Sequence, residues 1–251
     1  MSKVYIVSAK RTAIGSFLGS LSTVHPSDFG SEVVKNILEE TKIPVEKIDE
    51  VIVGNILPAG LGQGVARQVS IKAGIPVSVP AYGVNMVCGS GMKTLMNAYA
   101  SIKAGIHNVV VVGGTENMSM TPYIVPNKVR NGIKMGGFNA SDHMIADALT
   151  DAFNNVHMGI TAENIVDQFG LTREEQDAFA YESQVKAIKS VDEDRFKDEI
   201  VPITVKLRRD EFVFDKDEYP NRRTSFEKLG KLRAAFKKDG SVTAGNSSGI
   251  N

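Results

Sequence analysis

The chain has 251 residues, with 29 basic and 29 acidic side chains, so its formal charge balances. That balance argues against a dedicated nucleic-acid binder, and 42% hydrophobic residues exclude a disordered chain. A single cysteine, Cys88, excludes an intrachain disulfide and leaves any structural zinc to histidine and carboxylate ligands.

The length suits one large domain or two modest ones. The longest aliphatic run, Val109 to Val112, is too short to span a bilayer. The expectation is therefore a cytoplasmic protein without membrane, nucleic-acid or metal partners; His25, His107 and His143 have no ligand-like spacing.

Val4 to Val7, β-branched and aromatic, predicts a first buried strand. Pro26-Ser27-Asp28 opens a helix with Ser27 or Asp28 as N-cap. Its apolar stripe is Phe29, Val33, Val34, Ile37 and Leu38, and Pro44 blocks its extension. Ile48 to Ile56 predicts a second strand, and Gly60 to Gly64 a glycine-rich loop. A short helix over Ala66 to Ala73 stops at Gly74 and Pro76. Val79 to Met86 is extended and leads through Val87-Cys88-Gly89-Ser90-Gly91 into a helix over Met92 to Ala104. Met92, Leu95, Met96, Tyr99 and Ile102 are its expected apolar face. Val109 to Val112 is a further strand, stopping at Gly113-Gly114. Strands alternating with helices imply crossover units and a mainly parallel sheet covered on both faces.

Composition shifts at Met118, and no clear period follows from Ser119 to Asn139. Asp142 to Phe153 and Thr161 to Phe169 are candidate helices, the second closed by Gly170. Thr172-Arg173-Glu174-Glu175 is a capping box opening a helix with Ala178, Tyr181, Val185 and Ile188 as its expected apolar face. Ile200 to Leu207 predicts a strand, followed by the charged stretch Arg208 to Arg223.

Cys88 carries the chemistry. It follows an extended segment and sits on a glycine-rich turn at a helix start, where unpaired amides favour a thiolate and stabilise an oxyanion. Local context leaves two readings open: an acyl-accepting nucleophile, or an inert cysteine packed under a helix. His157, beside a helix start, reads locally as a structural histidine. The charges from Arg208 to Lys238 read as a solvated face. Gly113-Gly114 lacks the dinucleotide pattern, and Gly60 to Gly64 lacks the Lys-Ser/Thr of a phosphate loop.

Asn85-Met86-Val87-Cys88-Gly89-Ser90-Gly91-Met92 resembles the nucleophile segment of the thiolase family. Further stretches resemble it in the same order. They are Arg11-Thr12-Ala13-Ile14-Gly15, Gly62-Gln63-Gly64-Val65-Ala66-Arg67-Gln68, Ala73-Gly74-Ile75-Pro76 and Gly113-Gly114-Thr115-Glu116-Asn117-Met118-Ser119. His157-Met158-Gly159-Ile160-Thr161-Ala162-Glu163-Asn164 and Thr243-Ala244-Gly245-Asn246-Ser247-Ser248-Gly249-Ile250-Asn251 complete the series. Within the family the similarity is to short-chain, biosynthetic-type acetyl-CoA acetyltransferases, and to their N-terminal part.

The resemblance implies an α/β fold. A thiolase-like layered lobe with a central, mainly parallel or mixed sheet and helices on both faces would span residues 1–118. An inserted, mostly helical loop domain binding CoA would span 119–246, with a return segment at 247–251. It implies that Cys88 takes an acetyl group from acetyl-CoA as a thioester, its backbone N–H helping to form the oxyanion hole. A second acetyl-CoA then attacks to give acetoacetyl-CoA and CoA, reversibly. Leu149, His157 and Met158 would line the pantetheine and acyl channel. Phe236, Ala244, Ser248 and Gly249 would contact CoA, which is substrate and product; no permanently bound cofactor is implied. Arg222, Arg223, Lys228, Lys231 and Arg233 lie where basic groups meet CoA phosphates. Dimers or tetramers of the chain are implied, with Asn85–Gly91 and Gly113–Ser119 near the subunit contact.

The family's catalytic Gly-His-Pro histidine, second cysteine and Asn-Glu-Ala segment belong to a second, C-terminal lobe, and none occurs in these residues. The 251 residues alone are therefore expected to be inactive in condensation and to expose an apolar face. Two classes remain: an acetyl-CoA acetyltransferase in its N-terminal part, or a non-catalytic acyl-CoA-binding or assembly module derived from a thiolase. The intact Cys88 segment favours the first. A chain-elongating ketoacyl synthase also places cysteine at a helix start, but the segments at His157 and Thr243 favour thiolase.

Overall fold

The computed structural model describes residues 3–251. They form two compact units, residues 3–122 with 199–216, and residues 123–198 with 217–251.

The first unit contains β1 (Arg11–Thr12), α1 (Pro26–Thr41), β2 (Glu50–Gly54), α2 (Val65–Lys72), β3 (Ala81–Val84), α3 (Ser90–Lys103) and β4 (Val110–Gly114). The sheet is three-stranded and parallel, in the order β3-β2-β4, with Val51 opposite both Ala81 and Val111. Alternation along β2 sorts its two faces. Val51 and Val53 join Val34 of α1 and Ala66 and Val69 of α2 in one core. Gly54, of opposite parity, turns toward α3: a Cβ there would lie 2.8 Å from the Ser90 carbonyl carbon. The sheet is thus parallel and helix-covered, as expected for crossover units.

The second unit contains β5 (Tyr123–Ile124), β6 (Ser141–Asp142), α4 (Met158–Phe169) and α5 (Arg173–Asp192). The chain then supplies β7 (Ile200–Val201), β8 (Ile203–Lys206) and β9 (Glu211–Phe214) to the first unit, and α6 (Phe226–Gly230) to the second. β7 pairs in parallel with β1, and β8 and β9 form a hairpin. Ile203, Val205 and Phe214 close a second core with Ala13, Leu21 and Phe29.

Several sequence expectations change. Val4 to Val7 is not a strand: it pairs with no strand among the described residues, and Tyr5, Ile6 and Val7 are 72%, 71% and 67% exposed. β-propensity favours an extended backbone but does not supply a ladder partner. The N-cap of α1 is His25, whose Nδ1 accepts the Ser27 amide at 3.2 Å, because Pro26 already occupies the first helical position. α3 begins at Ser90, and its buried face is Ser90, Thr94 and Ala98. Its expected apolar face is largely open, Met92 being 72% and Tyr99 54% exposed. Only small side chains fit where α3 meets the sheet so closely. Leu95, Met96, Tyr99 and Ile102 line, with Val4 to Ser8, an open apolar groove of about 520 Å³.

Within α5 the buried residue is Asp177, whereas Ala178, Tyr181 and Val185 are exposed, because the inward face follows the polar anchors Arg173 and Gln176. Residues 142–153 hold a five-residue π-helical turn, Ile145–Leu149, in place of a full α-helix. Pro202 separates β7 from β8, breaking the strand expected over Ile200 to Leu207. The end of α1 before Pro44, the capping box at Thr172 and the stop at Gly170 match expectation. Among the described residues no helix is long and apolar enough to cross a membrane.

Asp49 fastens the start of β4 beside β2, accepting the Asn108 amide at 2.6 Å and the Val109 amide at 2.9 Å. Those bonds, the Val109 amide foremost, hold its carboxyl below the ordinary value. A folded-state value below the unfolded one gives stabilisation that is present above the unfolded value and lost as pH falls through the folded one. The gap in urea midpoint between neutral and acidic solution is expected to narrow in Asp49→Asn. An unchanged gap would remove Asp49 from the acid response.

Candidate active site

The segment before α3 is a short, internally fastened turn. The Asn85 Oδ1 accepts the Val87 amide at 3.0 Å, and the Ser90 Oγ accepts the Met86 amide at 2.9 Å while donating to the Val87 carbonyl. The Gly89 amide donates to Met86 at 3.1 Å and the Ser90 amide to Val87 at 3.0 Å. Val87 adopts φ +46°, a left-handed conformation that costs a β-branched residue about 1–3 kcal/mol. This strain next to Cys88 was not legible in the residue pattern.

The turn leaves Cys88 exposed, just ahead of Gly89, which is the N-cap of α3. Among the described residues the Cys88 amide makes no hydrogen bond, and neither do the first-turn amides of Gly91 and Met92. An accessible sulfur and an unused amide on the same residue are what attack on a carbonyl and support of the resulting oxyanion require.

Glycines set the position of this turn. The Cβ built on Gly54 falls 2.9 Å from the Gly91 amide nitrogen, and one on Gly114 falls 3.5 Å from the Gly91 Cα. The end of β2 therefore lies closer to the backbone of α3 than any side chain allows, while the end of β4 leaves ordinary contact distance there. Glu116, just beyond β4, braces the loop after β2 by accepting the Ile56 amide at 2.8 Å and the Asn55 side-chain amide at 2.8 Å.

The second unit gathers most of the remaining candidates. His157 is the N-cap of α4 and stacks on Phe236, ring centroids 4.9 Å apart and planes 16° apart. Met158 is the first residue of α4. Leu149 ends the π-helical turn beside Thr150, which bridges to His157. Ala234 bridges to Thr243, so the segment carrying Phe236 runs antiparallel to the one carrying Ala244. Ser248 and Gly249 instead line a cavity of about 280 Å³ with α5 and Tyr219.

Two buried carboxylates that the sequence reading passed over hold these segments. Glu163 is fully buried, and its Oε1 accepts the amides of Ser241 at 3.0 Å and Val242 at 2.8 Å. Gly240 packs against that carboxylate with no room for a side chain. Asp177 accepts from Arg173 Nε at 2.8 Å and Asn246 Nδ2 at 2.9 Å, tying the Thr243 segment to α5. No local pattern marks Glu163, since Asp167 follows it at i,i+4 on the same helix; for Asp177 the signal is the i,i+4 pair with Arg173. Of the basic candidates, Arg222 pairs with Asp192 and Lys231 with Glu227, and Lys228 donates to the Arg223 carbonyl. The Asp192 carboxylate holds the Arg222 value above its ordinary one. The side chains of Arg223 and Arg233 have no hydrogen-bond or ion-pair partner among the described residues.

A helix-covered parallel sheet with a cysteine on a strained turn at a helix start defines a thiolase-type lobe. The family model of the thiolase N-terminal domain matches residues 4–251, and the chain belongs to the thiolase family. It is 52% identical over 252 residues to an acetyl-CoA acetyltransferase of Pseudomonas aeruginosa, covering 100% of this chain and 64% of that one. It is 51% identical over 249 residues to the acetyl-CoA acetyltransferase of Allochromatium vinosum, covering 99% of this chain and 63% of that one. The crystal structure of the Bacillus anthracis acetyl-CoA acetyltransferase matches with a TM-score of 0.93 at 40% identity, over 97% of this chain and 61% of that one. The chain thus spans less than two thirds of the length of these relatives.

Gly54→Ala is expected to lower stability by about 1–3 kcal/mol, because a methyl group must displace the α3 backbone. A urea midpoint equal to the parent's would show that the strand end and the helix start have room between them. Glu163→Ala is expected to cost roughly 2–4 kcal/mol, since it strands two inward amides. Retention of parental stability would mean that those amides find other acceptors.

Proposed function

We propose that this chain carries the acyl-accepting step of an acetyl-CoA acetyltransferase. The observation that bears the reading is the pairing, on one residue, of an exposed sulfur with a backbone amide that has no other partner among the described residues. The Cys88 thiolate attacks the thioester carbonyl of acetyl-CoA. The oxyanion of the tetrahedral intermediate is met by the Cys88 amide, and its collapse expels CoA as thiolate. The products are acetyl-Cys88 and free CoA, one thioester formed for one broken. In the full reaction the deprotonated methyl of a second acetyl-CoA attacks acetyl-Cys88, giving acetoacetyl-CoA and returning the thiolate.

The relatives named acetyl-CoA acetyltransferase support CoA thioesters as the substrates. CoA in this reading is held by the loop domain over residues 119–246, through Leu149, His157, Met158, Phe236 and Ala244, and by Ser248 and Gly249. Arg223 and Arg233, whose charges are unpaired among the described residues, are the best placed of the basic residues to meet its phosphates. A cytoplasmic homo-oligomer is part of the same reading and rests on the resemblance. These residues contain one cysteine, so no second thiol is available here to take the proton from the second acetyl-CoA. The 251-residue chain accordingly stops at the acetyl-enzyme.

Incubation with acetyl-labelled acetyl-CoA, followed by peptide mapping, is expected to place label on Cys88 and none on Cys88→Ser, with no build-up of acetoacetyl-CoA. Label elsewhere, or none while CoA still binds, would overturn the nucleophile and favour a non-catalytic acyl-CoA-binding module. Steady production of acetoacetyl-CoA would overturn the stop at acetyl-enzyme.

A further inference from the structure

Two helices in this protein are capped by histidine, and the comparison between them is informative. At α1 the His25 Nδ1 accepts the Ser27 amide, and the Nε2 at the far side of the ring meets the Leu61 carbonyl at 3.2 Å. At α4 the His157 Nδ1 accepts the Gly159 amide at 3.0 Å, and its Nε2 makes no hydrogen bond among the described residues. A ring nitrogen that accepts must carry its lone pair there, so the neutral ring has its proton on Nε2. His25 spends that proton on a carbonyl of its own chain. His157 keeps it unspent, on a half-buried ring.

Gly159 secures His157 in two ways. Its amide is the donor to Nδ1. Its lack of a side chain admits Phe236, since a Cβ at this position would fall inside the Phe236 ring. Phe236 in turn lies nearly parallel to the imidazole. The ring is held at one edge and stacked on one face by the consequences of a single residue.

We infer that Gly159 locks His157 as a one-way hydrogen-bond donor, its Nε2–H presented to a carbonyl oxygen of the acyl-CoA, with Gly159 the positioning residue. The ring so held has no free lone pair, so His157 binds and orients but does not remove a proton. The inference rests on the reading that this unit holds CoA. The carbonyl belongs either to a pantetheine amide or to the thioester.

The test uses the 251-residue chain. Nitrogen-15 spectra of the histidine rings, without ligand, are expected to show His157 protonated at Nε2 and bare at Nδ1. A proton on Nδ1, or an even mixture, would overturn the lock. His157→Asn keeps an N-cap acceptor but has no donor at the Nε2 position. Its thermal midpoint is expected near the parent's, with affinity about five- to tenfold weaker, in titrations with CoA and with acetyl-CoA. An equal loss on both ligands identifies a pantetheine carbonyl, and a loss on acetyl-CoA alone the thioester; unchanged affinity for both overturns the donor. Gly159→Ala is expected to weaken binding similarly and to abolish the ring-current shift that Phe236 imposes on the His157 protons. If it fails to fold, His157→Asn and the nitrogen spectrum still decide. Absence of CoA binding by the parent chain would instead defeat the CoA reading, and the nitrogen spectrum would judge the tautomer separately.

Discussion

The first unit is organised around a contact that no side chain makes. Gly54 at the end of β2 brings its strand backbone against the backbone of α3 at Ser90 and Gly91. Close approach of this kind is available only to glycine. It places the start of α3, and with it the Cys88 turn, at the carboxyl ends of parallel strands, the usual position for chemistry in such sheets. Ser90 and Asn85 then shape the turn, and the packing around it holds Val87 in a conformation it would not choose alone. The rigid element comes first and the reactive residue inherits its place from it.

The second unit is held differently. Its long helix α5 buries an aspartate, and the neighbouring α4 buries a glutamate. Removing a carboxylate from water is costly unless its oxygens are met. Here they are met by backbone amides at Ser241 and Val242 and by the side chains of Arg173 and Asn246. These acceptors draw an irregular segment, residues 241–246, into a defined path. Apolar packing gives such a segment little to grip, whereas directional bonds fix it atom by atom.

Much of the first unit was legible in the sequence, because strands and helices there follow apolar periodicity and proline or glycine punctuation. The bounds of α1 come from Pro26 and Pro44, and the core valines of β2 alternate as they should. The misreadings share a cause. Val4 to Val7 looks like a strand because local propensity cannot reveal whether a partner exists. The face of α3 was chosen by hydrophobicity, whereas the structure chose it by size. The inner face of α5 was sought among Tyr181 and Val185, but polar anchors decide it. Cys88 was singled out by its place on a glycine-rich turn at a helix start, and the candidate CoA residues by resemblance; the contacts of Gly159, Glu163 and Asp177 depend on partners distant in sequence, and no local pattern reports those.

The choice of face by size has a consequence for how α3 tolerates change in length. Ser90, Thr94 and Ala98 recur every fourth residue and line the narrow side, while Leu95, Met96 and Tyr99 crowd the remainder. Loss or gain of one residue between them turns the rest of the helix by about 100°. A bulky side chain then meets a surface shaped for a hydroxyl or a methyl, and the helix cannot slide away because its start at Ser90 and Gly91 already lies against Gly54. The disturbance is passed to the other end of the helix, at Lys103, away from the pinned start. A deletion in the middle of α3 therefore spares the Cys88 turn and displaces the entry into β4.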